Sequence, residues 1–115
     1  NRVSLENNLA RAFMEGTSPI AVLRAAIRHY QRLHLAVGII RQGQTSRQAI
    51  KLLKPPVLFL FVDRFNRQLD CWSGEKIVRA LAMLTDAEIN CKTTGLPAVA
   101  VCSRALLSLS QAARH

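Results

Sequence analysis

"KPPVLFLFVDRFNRQLDCW", residues 54–72, supports two incompatible readings. Val57 to Val62 is an unbroken apolar run that follows two prolines and stops at Asp63, the outline of a buried strand. Periodicity cannot judge so short a run, but it does judge the longer stretch. Leu58, Phe61, Phe65 and Trp72 recur at helical spacing, with Val62 and Leu69 beside them on the same face. "DRFNRQLD" lacks strand alternation, and a lone strand would have no sheet to join. The stretch is therefore predicted as a helix over 58–72, entered through Pro55-Pro56. The cost is that Phe59 and Leu60 point away from the face and need another neighbour.

Working outward, the punctuation consists of helix stop-start signals. Gly16 suits the left-handed position after a helix, Ser18 suits a cap, and Pro19 suits a first turn. Gly43 ends a helix and Thr45 or Ser46 caps the next. Ser73 caps another, with Glu75 in its first turn; Gly95 closes it and Pro97 opens the last. The predicted helices are 3–15, 19–42, 46–54, 58–72, 74–94 and 97–113. The fold class is all-α, a compact bundle of five or six helices in one domain spanning residues 1–115.

Half of the residues are hydrophobic and 20% are charged. That is oily for a small domain, which must expose much of its surface. Either the core is rich in alanine and leucine, or part of the apolar surface belongs to a partner. The net charge is +9, from 16 Lys+Arg against 7 Asp+Glu. It attracts polyanions or an acidic protein face and says nothing about fold. Cys71, Cys91 and Cys102 show no paired metal spacing and suit buried thiols in a reducing compartment. No apolar run approaches the ~20 residues of a membrane span. A cytoplasmic chain is expected.

The helix over 19–42 carries two stripes. Ile20, Leu23, Ile27, Tyr30, Leu33 and Val37 form its core face, on which His34 also falls. Arg24, Arg28 and Arg32 repeat at i, i+4, i+8 on the other side, with Leu35 among them. Such a stripe is most commonly a solvated basic face. An interface also mixes arginine with apolar area, and a DNA-phosphate track is a third explanation. In the helix over 74–94, Ile77, Ala80, Leu81, Leu84, Ala87 and Cys91 share a face that includes Glu88. A carboxylate there needs a partner, and Lys92 stands four residues on in the favourable order. In the last helix Cys102, Ala105, Leu106 and Leu109 form one stripe, while Ser103 and Leu107 lie on another side. Arg104 is its only charge before Arg114. So little charge suits a central helix or one covered by another protein.

No phosphate loop, nucleophile elbow, zinc-protease motif or Cys/His nucleophile arrangement is present in the sequence. The reading is a non-enzyme with no cofactor, no metal site and no small-molecule substrate. The rival to a protein-binding role is a basic helical module that binds nucleic acid.

"GTSPIAVLRAAIRHYQRLHLAVGIIRQGQTSRQAIKLLKPPV" followed by "FNRQLDCWSGEKIVRALAMLTDAEINCKTTGLPAVAVCSRALLSL" resembles the C-terminal region of the delta subunits of the bacterial DNA polymerase III clamp loader, the alphaproteobacterial forms in particular. The resemblance runs from about Gly16 to Leu109 and rests on an ordered set of features rather than one motif. It implies a helical collar domain, part of a longer subunit, that joins delta to the delta-prime and gamma/tau subunits in a pentameric ring. The clamp is gripped by an amino-terminal region outside this chain, and ATP is hydrolysed by neighbouring subunits. Carried over by position, Pro55, Pro56, Trp72, Lys92 and Gly95 are architectural. Arg24, Arg28, Arg32, Leu35, Ser103 and Leu107 are the candidate partner surface, with direct DNA contact secondary. Leu60-Phe61-Val62 departs from the more basic residues of relatives and marks Phe59 and Leu60 as a local patch.

Overall fold

Ser18 starts the first described helix. Its hydroxyl accepts a hydrogen bond from the Ala21 amide at 3.0 Å, and Pro19 fills the first turn, where a missing N–H costs nothing. The computed structural model describes residues 15–113, so nearly all of the helix expected over 3–15 lies outside the described residues. Helix α1 spans Pro19–Arg41 and gives way to Gly43 at φ +107°. Helix α2, Ser46–Leu52, opens on a reciprocal cap. The Thr45 hydroxyl accepts from the Gln48 amide at 3.1 Å, and the Gln48 side chain accepts from the Thr45 amide at 2.9 Å. It stops two residues before the expected end: Leu53 is already extended, and Lys54, which precedes Pro55, is disfavoured in helical geometry.

The opening stretch is helical only in its second half. Leu58 is extended, Phe59–Phe61 forms one 3-10 turn, and the α-helix α3 runs Val62–Cys71. Phe65 and Trp72 are buried, and Val62 and Leu69 pack against the core. Leu58 and Phe61, expected on the same face, are instead 63% and 45% exposed. The reason is phase: the 100° step that aligns Phe65 with Leu69 begins at Val62 and does not extend back through a 3-10 turn. Phe59 and Leu60 find no neighbour and are 84% and 73% exposed.

Helix α4, Gly74–Lys92, is capped by Ser73, whose hydroxyl accepts from the Lys76 amide at 3.2 Å. Gly95 at φ +90° turns the chain into α5, Ala98–Ala112. All described elements are helical, and they form a compact bundle. Helix α1 is its hub, packed on α4, α2, α5 and α3. Helices α1 and α4 run antiparallel: Arg24 reaches Glu88 at one end, and Arg41 lies beside Gly74 at the other. Helix α5 returns antiparallel to α4, its Ala112 carbonyl accepting from Lys76 Nζ at 3.3 Å.

The core threads through every helix: Leu23, Leu33, Ala49, Ile50, Phe65, Ile77, Leu84, Cys102 and Leu109 are all buried. A fully buried Leu or Ile contributes about 1.5–3 kcal/mol relative to exposure. Ala36, Ala80, Ala87 and Ala105, also buried, let the helices approach closely. Trp72 sits under Tyr30, ring centroids 4.9 Å apart and nearly perpendicular.

Candidate partner interfaces

The arginine stripe of α1 does not act as one surface. Arg24, Arg28 and Leu35 are exposed, Leu35 by 54%. Arg24 Nε donates to Glu88 Oε2 at 3.4 Å, which ties the stripe's first member to α4. Lys92 Nζ donates to the same oxygen at 3.0 Å, in the expected i,i+4 pair. The Lys92 hydrogen bond holds the Glu88 carboxyl below its ordinary value against a partial desolvation that pushes the other way, with the charge of Lys92 and then Arg24 assisting. This arrangement anchors rather than catalyses: the carboxylate is ionised and doubly engaged. Arg32 is half-buried and shares a groove with α3 residues; the neighbouring His29 has its pKa lowered chiefly by its own burial, with the charge of Arg32 a smaller contribution in the same direction.

His34, expected on the core stripe, is exposed and lines a groove with Arg41, Glu75 and Arg79. The first turn of α4 faces it and offers polar groups instead of packing. His29 is the half-buried one: its Nε2 is hydrogen-bonded to Gln68 Oε1, and its ring meets Phe65 edge-on at 5.9 Å. Burial, the main cause, lowers its pKa.

On α5, Ser103 and Leu107 are half-buried rather than outward-facing. The large apolar groups open to solvent here are Val99 and the preceding Leu96, 49% and 45% exposed. No hydrogen bond among the described residues joins Ser103 to the α1 arginines. Val78 and Ile89 on α4 are also more than half exposed. Sequence reasoning missed Leu96, Val99, Val78 and Ile89. No single-helix pattern separates them, since Ile89 has Thr85 and Thr93 at i±4 and Val99 has Ser103 at i+4.

Among the residues read as architectural, Trp72 is buried and Gly95 takes a left-handed conformation. Pro55 and Pro56 are exposed, at the entry to the 3-10 turn. Cys102 is buried, and burial pushes its thiol up to about 11. Burial and the Glu88 charge raise Cys91, whose Sγ donates to the Ala98 carbonyl at 3.5 Å. Neither thiol is activated as a nucleophile. Among the described residues, no group of three or more His, Cys, Asp or Glu is placed to hold a metal ion, and no helix is long and apolar enough to cross a membrane.

Architecture and surface together define an all-α bundle with several part-exposed apolar faces. The chain is 27% identical over 78 residues to a protein of Rickettsia prowazekii (strain Madrid E) described as a probable DNA polymerase III subunit delta. The match covers 68% of this chain and 24% of that protein, so the chain corresponds to about a quarter of its relative's length. This distant similarity links the chain to the delta subunit. No family model matches the chain, and no solved structure matches it.

Proposed function

We propose that residues 1–115 form a single non-catalytic oligomerisation domain, the collar of a delta-type subunit, which holds that subunit in a clamp-loader ring during DNA replication. The observation that carries this reading is the apolar surface the bundle leaves uncovered. Leu35 of α1, Val78 and Ile89 of α4, Leu96 before α5 and Val99 within it remain about half exposed while the core is complete without them. We read these exposed groups as parts of contact surfaces, since large exposed apolar patches mark protein contacts. The similarity to a delta subunit supports a partner within the DNA polymerase III clamp loader, and we assign the delta-prime and gamma/tau subunits to that role. The domain's contribution is positional. ATP-driven movements of neighbours reach the rest of delta only while the collar keeps the ring joined.

The α1 face around Arg28 and Leu35 is the surface we assign to a neighbour, together with Leu107 and the exposed Val99 of α5. Arg24 serves it from the rim, its charge already engaged by Glu88. Capture of the loader subunits by the immobilised chain tests the reading. Capture that weakens with Arg28→Glu and Leu35→Ser is expected. No capture, or capture indifferent to both changes, contradicts it. The net charge of +9 favours one rival, a nucleic-acid-binding module. That rival requires tight duplex binding that falls steeply with salt as counterions are released, together with no affinity for loader subunits.

A further inference from the structure

Between α1 and the start of α3 lies a groove of about 470 Å³, lined by His29, Arg32, Val57, Leu58, Phe61 and Arg64. Its floor is Phe65, which is buried. No carboxylate lines it. Neither Arg32 nor Arg64 has an ion-pair partner among the described residues, whose only ion pairs converge on Glu88. The Arg64 guanidinium carbon stands 5.6 Å from the Phe61 ring centroid, which fixes that charge at the groove's lip. Apolar walls thus rise beside two guanidiniums without counter-charge, in a cleft of the size that holds a few side chains.

We propose that this groove docks an acidic peptide segment, its carboxylates meeting Arg32 and Arg64 while an apolar side chain seats against Leu58 and Phe61. Arginine suits the task because its fork engages a carboxylate through two parallel hydrogen bonds. A second copy of the chain is a poor occupant, since it brings the same +9 charge. Single-stranded nucleic acid is the rival occupant, and the open ring of Phe59 lies outside this groove. Arg64 covers a face of Phe61, and Phe59 lines the opposite side of the turn, beside Arg47 and Lys51. Base stacking needs open ring faces along a continuous basic track. The groove centres on Leu58, Phe61 and Arg64 and meets α1 at Arg32, one turn from Arg28, so the proposal adds a docking surface beyond the α1 face around Arg28 and Leu35.

The test is fluorescence anisotropy of the 115-residue chain at low ionic strength with a labelled peptide of alternating aspartate and leucine. The controls are a peptide of alternating aspartate and glycine and a labelled oligothymidylate. The expected result is saturable binding of the aspartate–leucine peptide that falls about tenfold, or about 1.4 kcal/mol, in Arg64→Glu and in Leu58→Ser. Arg47→Glu, on the far side of the turn, leaves it within about twofold. Leu58 and Arg64 are exposed, and an unchanged thermal melt confirms that both variants fold. The proposal is overturned by any of four outcomes: no peptide binding, equal binding of the glycine peptide, tighter binding of the oligothymidylate, or equal losses in Arg47→Glu and Arg64→Glu. No loader subunit enters this assay, so its failure is distinct from failure of the collar reading.

Discussion

Glu88 and His29 give the domain two acid-sensitive contacts, in separate pH ranges. Glu88 is held below its reference value of 4.5 chiefly by the Lys92 hydrogen bond. A depressed carboxyl contributes stability that is present above that value and is lost as the pH falls through the folded-state value. His29 is held below 6.5, chiefly by burial. Its neutral form is the one the fold accepts, so stability is present above 6.5 and declines as the pH drops below it and the unfolded chain takes up the proton. Urea unfolding followed through Trp72, the single tryptophan, separates the two. His29→Gln removes the pH dependence just below 6.5, whereas Glu88→Gln removes the part beginning near 4.5. An unchanged pH profile in either variant refutes the corresponding contact. Neither contact was fully legible beforehand. The Glu88–Lys92 half follows from i,i+4 spacing, but the Arg24–Glu88 half joins residues 64 apart and exists only once α1 and α4 pack. Likewise His34 and His29 sit at different edges of one helix, and which edge is covered depends on where α3 lands.

At the scale of elements, local chemistry was readable and long-range phase was not. Ser18, Thr45 and Ser73 cap as their positions require because a cap depends only on the next three residues. Thr45→Ala, which breaks a reciprocal cap, is predicted to cost about 1 kcal/mol by urea unfolding. Gly38 and Gly95 form a pair with opposite signs. Both have open space where a Cβ would stand, but Gly38 is inside α1 with ordinary dihedrals while Gly95 sits at φ +90°. Gly38→Ala should therefore stabilise by about 0.5–1 kcal/mol, and Gly95→Ala should destabilise by about 1–2 kcal/mol. Equal signs would contradict the backbone argument. The stretch 54–72 marks the limit of such reading. Its helix was visible from Phe65, Leu69 and Trp72, but its true start at Val62 was not, because six apolar residues carry no phase. The consequence is measurable: Phe65→Ala should cost about 3–5 kcal/mol, while Phe59→Ser should stay within about 0.5 kcal/mol.

For the whole molecule, the bundle class was legible from helix punctuation and periodicity, and the surplus of apolar residues left two explanations, an Ala- and Leu-rich core or a partner surface. The placement of that surplus was less legible. Leu107 and Ser103, chosen from the sequence as outward groups of the last helix, are half-buried, and Val99 and Leu96 are the open ones. A face inferred from one helix cannot show how deeply two neighbours enclose it. The measurement that bears most directly on the collar reading is sedimentation velocity of the 115-residue chain, alone and mixed with delta-prime and gamma/tau subunits near physiological salt. A faster boundary containing this chain and a loader subunit, lost in the Arg28→Glu, Leu35→Ser double variant, is the predicted result. A chain that sediments unchanged in the presence of every loader subunit would contradict the proposal.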